Sequence, residues 1–182
     1  MNNRKALEHF LIGVQKRGFQ MARIATGCDQ DALDIVQDAM MALVKNYGDR
    51  DANDWHGLFF KILQTRIYDY YRRNAVKNRV FGWLGLSKDK TAENENADAI
   101  QQVEDQQALT PEKTLQFAQA TDQLVKAVAQ LPIRQQQAFM LRLWEGMSVA
   151  ETAMAMGISD GSVKTHYARA LATLRQQLAG YW

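Results

Sequence analysis

Cysteine is nearly missing from this 182-residue chain: Cys28 stands alone, so no internal disulfide and no cysteine-held metal cluster can form. Proline is almost as scarce, and both copies, Pro111 and Pro132, stand where helices begin. No long apolar run is present. Phe10-Leu11-Ile12 is too short for a signal-peptide core or a membrane span. No alternating strand pattern and no internal repeat are visible. No nucleophile–base set, phosphate-binding glycine loop or paired metal-ligand motif is visible either. His9, His56 and His166 are scattered and read as surface or core histidines. These absences predict an all-helical, cytoplasmic protein that is not an enzyme, with no cofactor, no metal and no membrane insertion. One sign of charge is also lacking in excess. The net charge of +2 is too small for nonspecific coating of nucleic acid.

Charge is unevenly placed, however. Lys61 to Arg79 holds six basic residues and one acidic residue, whereas Lys88 to Glu112 holds seven acidic and two basic. The most organised stretch is Leu131 to Leu178. Pro132 suits the first turn of a helix that carries Phe139, Leu143 and Trp144 and stops at Glu145-Gly146. Ser148-Val149-Ala150-Glu151 is a capping box opening a second helix, and Gly157 ends it. Ser159 opens a third helix. Its inner stripe is Val163, Tyr167, Ala170, Leu171, Leu174 and Leu178. Gly161, Ser162, Thr165, Ala168 and Arg169 lie opposite, with Lys164 at the flank. A short helix, a glycine turn and a helix with a small, hydroxyl-rich, basic face is the helix-turn-helix pattern. Small residues allow close approach to base edges, while Arg and Lys reach bases or phosphates. An ordinary amphipathic three-helix bundle would show the same periodicity.

Upstream, residues from about Asn3 to Thr26 have a helical stripe of Leu7, Leu11, Val14, Met21 and Ala25, weakened by Gly13 and Gly18. Gly27 is the expected stop. A second helix, starting at Asp29 or Asp31, runs to about Asn46, with Ala32, Val36, Ala39, Met40 and Leu43 inside. Asp34, Gln37, Asp38, Met41 and Lys45 lie outside. That outer stripe is either a docking surface or a solvated face with one stray methionine. A long helix from about Asp54 to Lys77 has Trp55, Phe59, Ile62, Leu63, Arg66, Ile67 and Tyr70 inside. Lys61, Thr65, Tyr68 and Arg72 share the outer side, flanked by Gln64 and Tyr71. Rings interleaved with cations suit unstacked bases and their phosphates. Aromatics covered by neighbouring helices, with arginines reaching past them to water, would give the same pattern. Val80 to Leu86 either folds back or meets a partner. Residues 87–109 read as a flexible acidic linker. Thr110-Pro111-Glu112 starts a further helix carrying Leu115, Leu124, Val125 and Val128. Two small helical domains are expected, residues 1–86 and 110–182, the second with four helices.

The run ATGCDQDALDIVQDAMMALVKN resembles the second conserved region of extracytoplasmic-function sigma factors of bacterial RNA polymerase, the compact two-domain branch of the sigma-70 family. In that family an Asp-Leu-Val-Gln-Glu type motif faces the polymerase clamp helices. Asp34, Ile35, Val36, Gln37 and Asp38 occupy it here, with Ile35 and Asp38 departing conservatively. WHGLFFKILQTRIYDYYRRN resembles the helix that opens and reads the minus-ten promoter element. It departs from the usual tryptophan-leucine-arginine context at Leu58-Phe59-Phe60-Lys61, and from the family's asparagines at Gln64 and Thr65. The helix-turn-helix resembles the fourth region, which reads the minus-thirty-five element. The likeness covers about 70–80% of the chain, in the same order.

The resemblance implies a dissociable promoter-specificity subunit whose partners are core RNA polymerase and promoter DNA. An anti-sigma factor, which often holds family members, is a further expected partner. It implies Asp34, Gln37, Asp38 and Met41 for polymerase binding. It implies Lys61, Gln64, Thr65, Tyr68, Tyr71, Arg72, Arg73 and Asn74 for the minus-ten element. Ser162, Lys164, Thr165 and Arg169 would serve the minus-thirty-five element. Two other readings stand beside it. One is a helix-turn-helix regulator that binds duplex DNA without joining polymerase, since GSVKTHYARALATL also resembles the DNA-binding end of response-regulator activators. The other is a helical scaffold with no nucleic-acid role.

Overall fold

The glycine and proline punctuation places the breaks between helices. In the computed structural model, which describes residues 2–83 and 111–179, Gly27, Gly146 and Gly157 all adopt φ near +65° and each follows a helix. The first three helices are α1 (Asn2–Thr26), α2 (Asp29–Tyr47) and α3 (Ala52–Trp83). The second group is α4 (Pro111–Ala129), α5 (Ile133–Leu143), α6 (Val149–Met156) and α7 (Asp160–Leu178). No strand occurs among the described residues. The expected acidic linker at 87–109, the Thr110 cap and Leu84 to Leu86 lie outside the described residues.

In the first bundle, Leu7, Val14 and Met21 of α1 meet Ala32, Val36, Ala39 and Leu43 of α2 and Trp55, Phe59, Leu63 and Ile67 of α3. All are buried at helical spacing, so each helix contributes one apolar stripe to a shared core. Gly18 lets α1 approach α3 closely. A Cβ there would meet the Phe59 ring at 3.0 Å, so the glycine that weakens the helix in isolation serves its packing. Trp55 donates its Nε1 hydrogen to the Tyr47 carbonyl at 3.1 Å, fixing the turn between α2 and α3.

α3 is longer than the sequence predicts. It continues past Lys77 to Trp83, so part of Val80 to Leu86 is a helical extension rather than a fold-back, and Trp83 is exposed. Pro132 is shifted too. It occupies the N-cap of α5 rather than its first turn, with its carbonyl accepting from the Gln135 and Gln136 amides.

In the second bundle, the box at α6 forms in full. The Glu151 amide donates to Ser148 Oγ at 3.2 Å, and the Ser148 amide donates to Glu151 Oε2 at 2.7 Å. Ser159 Oγ caps α7 by accepting from the Ser162 amide. Val163, Ala170 and Leu174 of α7 are buried, with Tyr167, Leu171 and Leu178 packed half-buried against the same core. α5 is buried nearly all round, from Ile133 through Leu141 except for Arg134 and Gln135. A helix buried on several sides has neighbours on several sides. Those neighbours are α6 and α7 of its own bundle and α1 and α3 of the other. α6 also lies along α3, and α4 touches α1. The two bundles are therefore packed against each other.

Candidate nucleic-acid interface

Three surfaces carry the residues singled out by sequence. On α2, Asp34, Gln37, Asp38 and Met41 are exposed together on one face, Met41 at 69%. Gln30 donates to the Asp34 carboxylate at 3.3 Å, one turn away. Sequence reasoning missed two apolar neighbours, Leu33 and Ile12, which are also exposed. With Lys16, Phe19 and Gln37 they border a shallow groove between α1 and α2. Ile12 lies off the inner stripe of α1, and that displacement was the available signal. The face combines carboxylates, an amide and unpartnered apolar side chains, a composition suited to a protein partner.

On α3, the expected set divides. Lys61, Thr65, Tyr71, Arg72 and Arg73 are exposed. Thr65 returns its hydroxyl to the Lys61 carbonyl at 2.8 Å, and Arg72 pairs loosely with Asp69 at 3.9 Å. Asn74 is half-buried and hydrogen-bonds Tyr70. Tyr70 also donates to Asp31 Oδ2 at 2.7 Å, and burial followed by that bond pushes its hydroxyl up to about 12. Gln64 corrects the expectation. Its side chain is 1% exposed and points its amide at Met21 Sδ, 3.6 Å away, so it cannot meet a base in this arrangement. Periodicity placed it at a flank. The flank is buried because α3 carries two covered stripes, one turned a single residue from the other. Trp55, Phe59, Leu63 and Ile67 form the first, and His56, Phe60, Gln64 and Tyr68 form the second.

The second stripe meets the other bundle. Gln137 donates its amide to the Gln64 carbonyl at 3.0 Å, and both glutamines are buried. The Arg134 guanidinium lies 3.7 Å from the centre of the Tyr68 ring. Tyr68 is therefore half-buried beneath a cation instead of open to solvent. His56 Nε2 and Arg17 Nη1 both meet Glu145 Oε2, at 3.3 and 3.1 Å. None of these pairings was legible in one-dimensional periodicity.

On α7, Lys164, Thr165 and Arg169 are exposed and Ser162 is half-exposed, all on the side away from Val163 and Ala170. Ser162 Oγ lies 2.9 Å from Ser159 Oγ, so this hydroxyl is already engaged at the helix start. Thr165 returns its hydroxyl to the Gly161 carbonyl at 3.0 Å. His166 sits half-buried on α7. Burial, then the positive charges of Arg134 and Arg169, hold its pKa below the ordinary histidine value. Arg142 hydrogen-bonds the Met147 carbonyl and lies over the Tyr167 ring at 5.7 Å, which ties the turn before α6 to α7. An apolar groove between α4, α5 and α7 is bordered by Leu124, Phe139, Leu143, Leu171 and Leu178. Among the described residues no cluster of His, Cys, Asp and Glu could hold a metal ion, and no helix is long and apolar enough to cross a membrane.

Residues 121–174, from within α4 into α7, match the family described as Sigma-70, region 4. Over 166 residues the chain is 31% identical to an RNA polymerase sigma-E factor of Streptomyces antibioticus, covering 91% of this chain and 82% of that one. It is 33% identical over 149 residues to an RNA polymerase sigma-E factor of Streptomyces avermitilis, covering 81% and 71%. An ECF RNA polymerase sigma factor, SigM, of Mycobacterium tuberculosis is 28% identical over 89% of this chain and 71% of its own length. Among solved structures, the sigma factor RpoE of Bartonella quintana, crystallised with the anti-sigma factor NepR, shares the fold. Its TM-score is 0.66, at 20% identity over 94% of this chain and 96% of that one. With the order of the two motif regions, the cap geometry of the helix-turn-helix and these relatives together, the chain belongs to the extracytoplasmic-function sigma factors of bacterial RNA polymerase.

Proposed function

We propose that this chain is the dissociable promoter-specificity subunit of RNA polymerase, that it performs no bond chemistry itself, and that it works in the cytoplasm. As a sigma factor it binds core RNA polymerase, directs it to particular promoters and starts transcription there. Residues 1–86 act as region 2 and residues 110–182 as region 4, with the acidic stretch 87–109 between them. Asp34, Gln37, Asp38 and Met41 on α2 engage the polymerase. Lys61, Thr65, Tyr68, Tyr71, Arg72, Arg73 and Asn74 on α3 follow the nontemplate strand of the minus-ten element. Rings stack on unpaired bases and cations neutralise phosphates there. Ser162, Lys164, Thr165 and Arg169 on α7 enter the major groove of the minus-thirty-five element. An anti-sigma factor, such as the one bound to the Bartonella quintana protein, is a fitting regulator.

The observation that carries this reading is the capped pair α6–α7. All of α6 and α7 up to residue 174 lie in the stretch similar to sigma region 4, and the pair leaves Lys164, Thr165 and Arg169 exposed on one side. Run-off transcription with purified core polymerase tests it: adding the chain should give one promoter-specific start. Asp34→Ala/Asp38→Ala should weaken core binding in a titration while leaving helicity unchanged. Unchanged affinity would remove α2 from the docking role, and no start at any promoter would remove the assignment of function.

A further inference from the structure

We propose that His166 is a further promoter contact of α7: it meets a backbone phosphate of the minus-thirty-five element and takes up a proton as it does so, so that the hold on that element tightens as pH falls. The inference rests on the reading of α7 as the recognition helix, and adds to it one residue and one chemical input.

The position follows from helical geometry. Lys164 and His166 stand on either side of Thr165 in sequence, so at roughly 100° per residue they project to opposite flanks of the face centred on Thr165. A helix with its side chains is about 10–12 Å across, and the major groove is about 12 Å wide. A helix seated there with Thr165 and Arg169 toward the bases therefore brings its two flanks to the two sugar-phosphate strands. Lys164 serves one strand. His166 is the group at the other.

The surroundings of the ring suit an anion. His166 is half-buried, and its Nδ1 is buried without a hydrogen-bond partner. A histidine kept for the core would have that nitrogen paired. Charge around the ring is one-sided: Arg134 of α5 and Arg169 of α7 both act on it. Among the described residues, α4 and α6, the other helices packed on α7, bring no charge to it. Neither arginine meets a carboxylate there. Arg134 donates to the Met156 carbonyl and to the Gln137 amide oxygen, and Arg169 is exposed. Two cations without a counter-charge beside an imidazole make a seat for a phosphodiester, the anion that DNA presents at this flank.

The same surroundings link the contact to protons. Burial first, and then the two arginines, hold the pKa of His166 below the ordinary 6.5 in the free protein. A phosphate beside the ring acts in the opposite direction, because a nearby negative charge favours the imidazolium. The value in the complex is therefore above the value in the free protein, and binding draws one proton from solvent. Affinity rises as pH falls through the value in the complex, and stops rising below the value in the free protein.

The test is promoter binding by holoenzyme made with the full chain, measured as a salt dependence at pH 8 and at pH 6. With the unchanged chain, the slope of log affinity against log salt should be about one unit steeper at pH 6, since one more cation then meets phosphate. His166→Gln should give the shallow slope at both pH values, and His166→Arg the steep slope at both. A neutral methylphosphonate, placed in turn at each phosphate of the minus-thirty-five element, should abolish the pH effect at one position. A slope that does not change with pH in the unchanged chain overturns the inference. So does a pH effect that persists in His166→Gln, because it belongs to another group. Where His166→Gln assembles no holoenzyme, a slope that still changes with pH in His166→Arg overturns it in the same way. A pH effect that survives every neutral position overturns the phosphate contact. Failure of the α7 reading looks different: the unchanged holoenzyme would then bind no promoter at either pH.

Discussion

Arg169 and Lys164 are both exposed cations on α7, yet their positions assign them different work. Arg169 lies on the same side as Thr165, one turn further along, and its planar fork can take a guanine edge in two bonds. Such a pair discriminates by about 1–3 kcal/mol. Lys164 stands at the flank, where a point charge meets phosphate. In a promoter-library selection by each variant holoenzyme at two salt concentrations, Arg169→Ala should relax preference at one position of the upstream element. Lys164→Ala should weaken all promoters about equally and reduce the salt slope by about one unit. If Arg169→Ala keeps the wild-type preferences and only loses affinity, Arg169 is a phosphate contact. The opposite lesson comes from Gln64. Its polar side chain suggested a base reader, but a second buried stripe one residue away from the first leaves it no access. A polar residue beside an apolar stripe has no address until the neighbouring helices are known.

At the scale of elements, the short helix α6 depends on its ends. It has eight residues, too few to persist alone. Ser148 and Glu151 satisfy its first amides, and Gly157 at φ 64° closes it in the left-handed region open to glycine. Ser148→Ala should cost about 1 kcal/mol of stability, read as a lower urea midpoint at unchanged slope. A midpoint within error of wild type would mean that packing alone holds α6. Acid should act on the same elements. Hydrogen bonds from the Ser148 amide and hydroxyl hold the Glu151 carboxyl below its ordinary 4.5, while burial and two arginines hold His166 below 6.5. Both depressed values mean that the unfolded chain takes up protons first as pH falls. The His166 contribution is therefore complete above about pH 6.5 and is lost as pH drops through its lower folded value. The Glu151 contribution is complete above about 4.5 and is lost below. Urea midpoints measured from pH 7 downward should fall in two stages. His166→Gln should remove the first stage only, and a variant that keeps both would take His166 out of the account.

For the whole molecule, the effects of Tyr68 and Tyr71 of α3 should separate. Tyr71 is exposed beside Arg72, whereas Tyr68 lies under Arg134 of the other bundle. Losing one stacking ring costs about 1–3 kcal/mol per base. Tyr71→Ala should thus lower permanganate reactivity of promoter thymines more than it lowers closed-complex binding. Tyr68→Ala should lose the ring and also loosen the packing of the bundles, so its defect in opening should be smaller in holoenzyme formed with excess protein. Equal loss in both steps for Tyr71→Ala would mean that this ring serves the fold.

Much of this was determined by sequence alone, and for local reasons. Helix boundaries follow from glycines at positive φ, from Ser148 and Ser159 as caps, and from stripes such as Val163, Ala170 and Leu174, all of which act within a few residues of themselves. The exposed faces of α2 and α7 were legible for the same reason, because the side of a helix opposite its buried stripe is exposed when all its close neighbours belong to its own bundle. α3 and α5 have neighbours in both bundles. Their second contact joins residues far apart in the chain: Arg17 with Glu145, His56 with Glu145, Gln64 with Gln137 and Tyr68 with Arg134. Periodicity reports how many sides of a helix are apolar, not which distant helix will cover a polar or aromatic one. Only the tertiary structure could decide that Gln64 is buried, that Tyr68 is covered and that Glu145 closes the two bundles on each other.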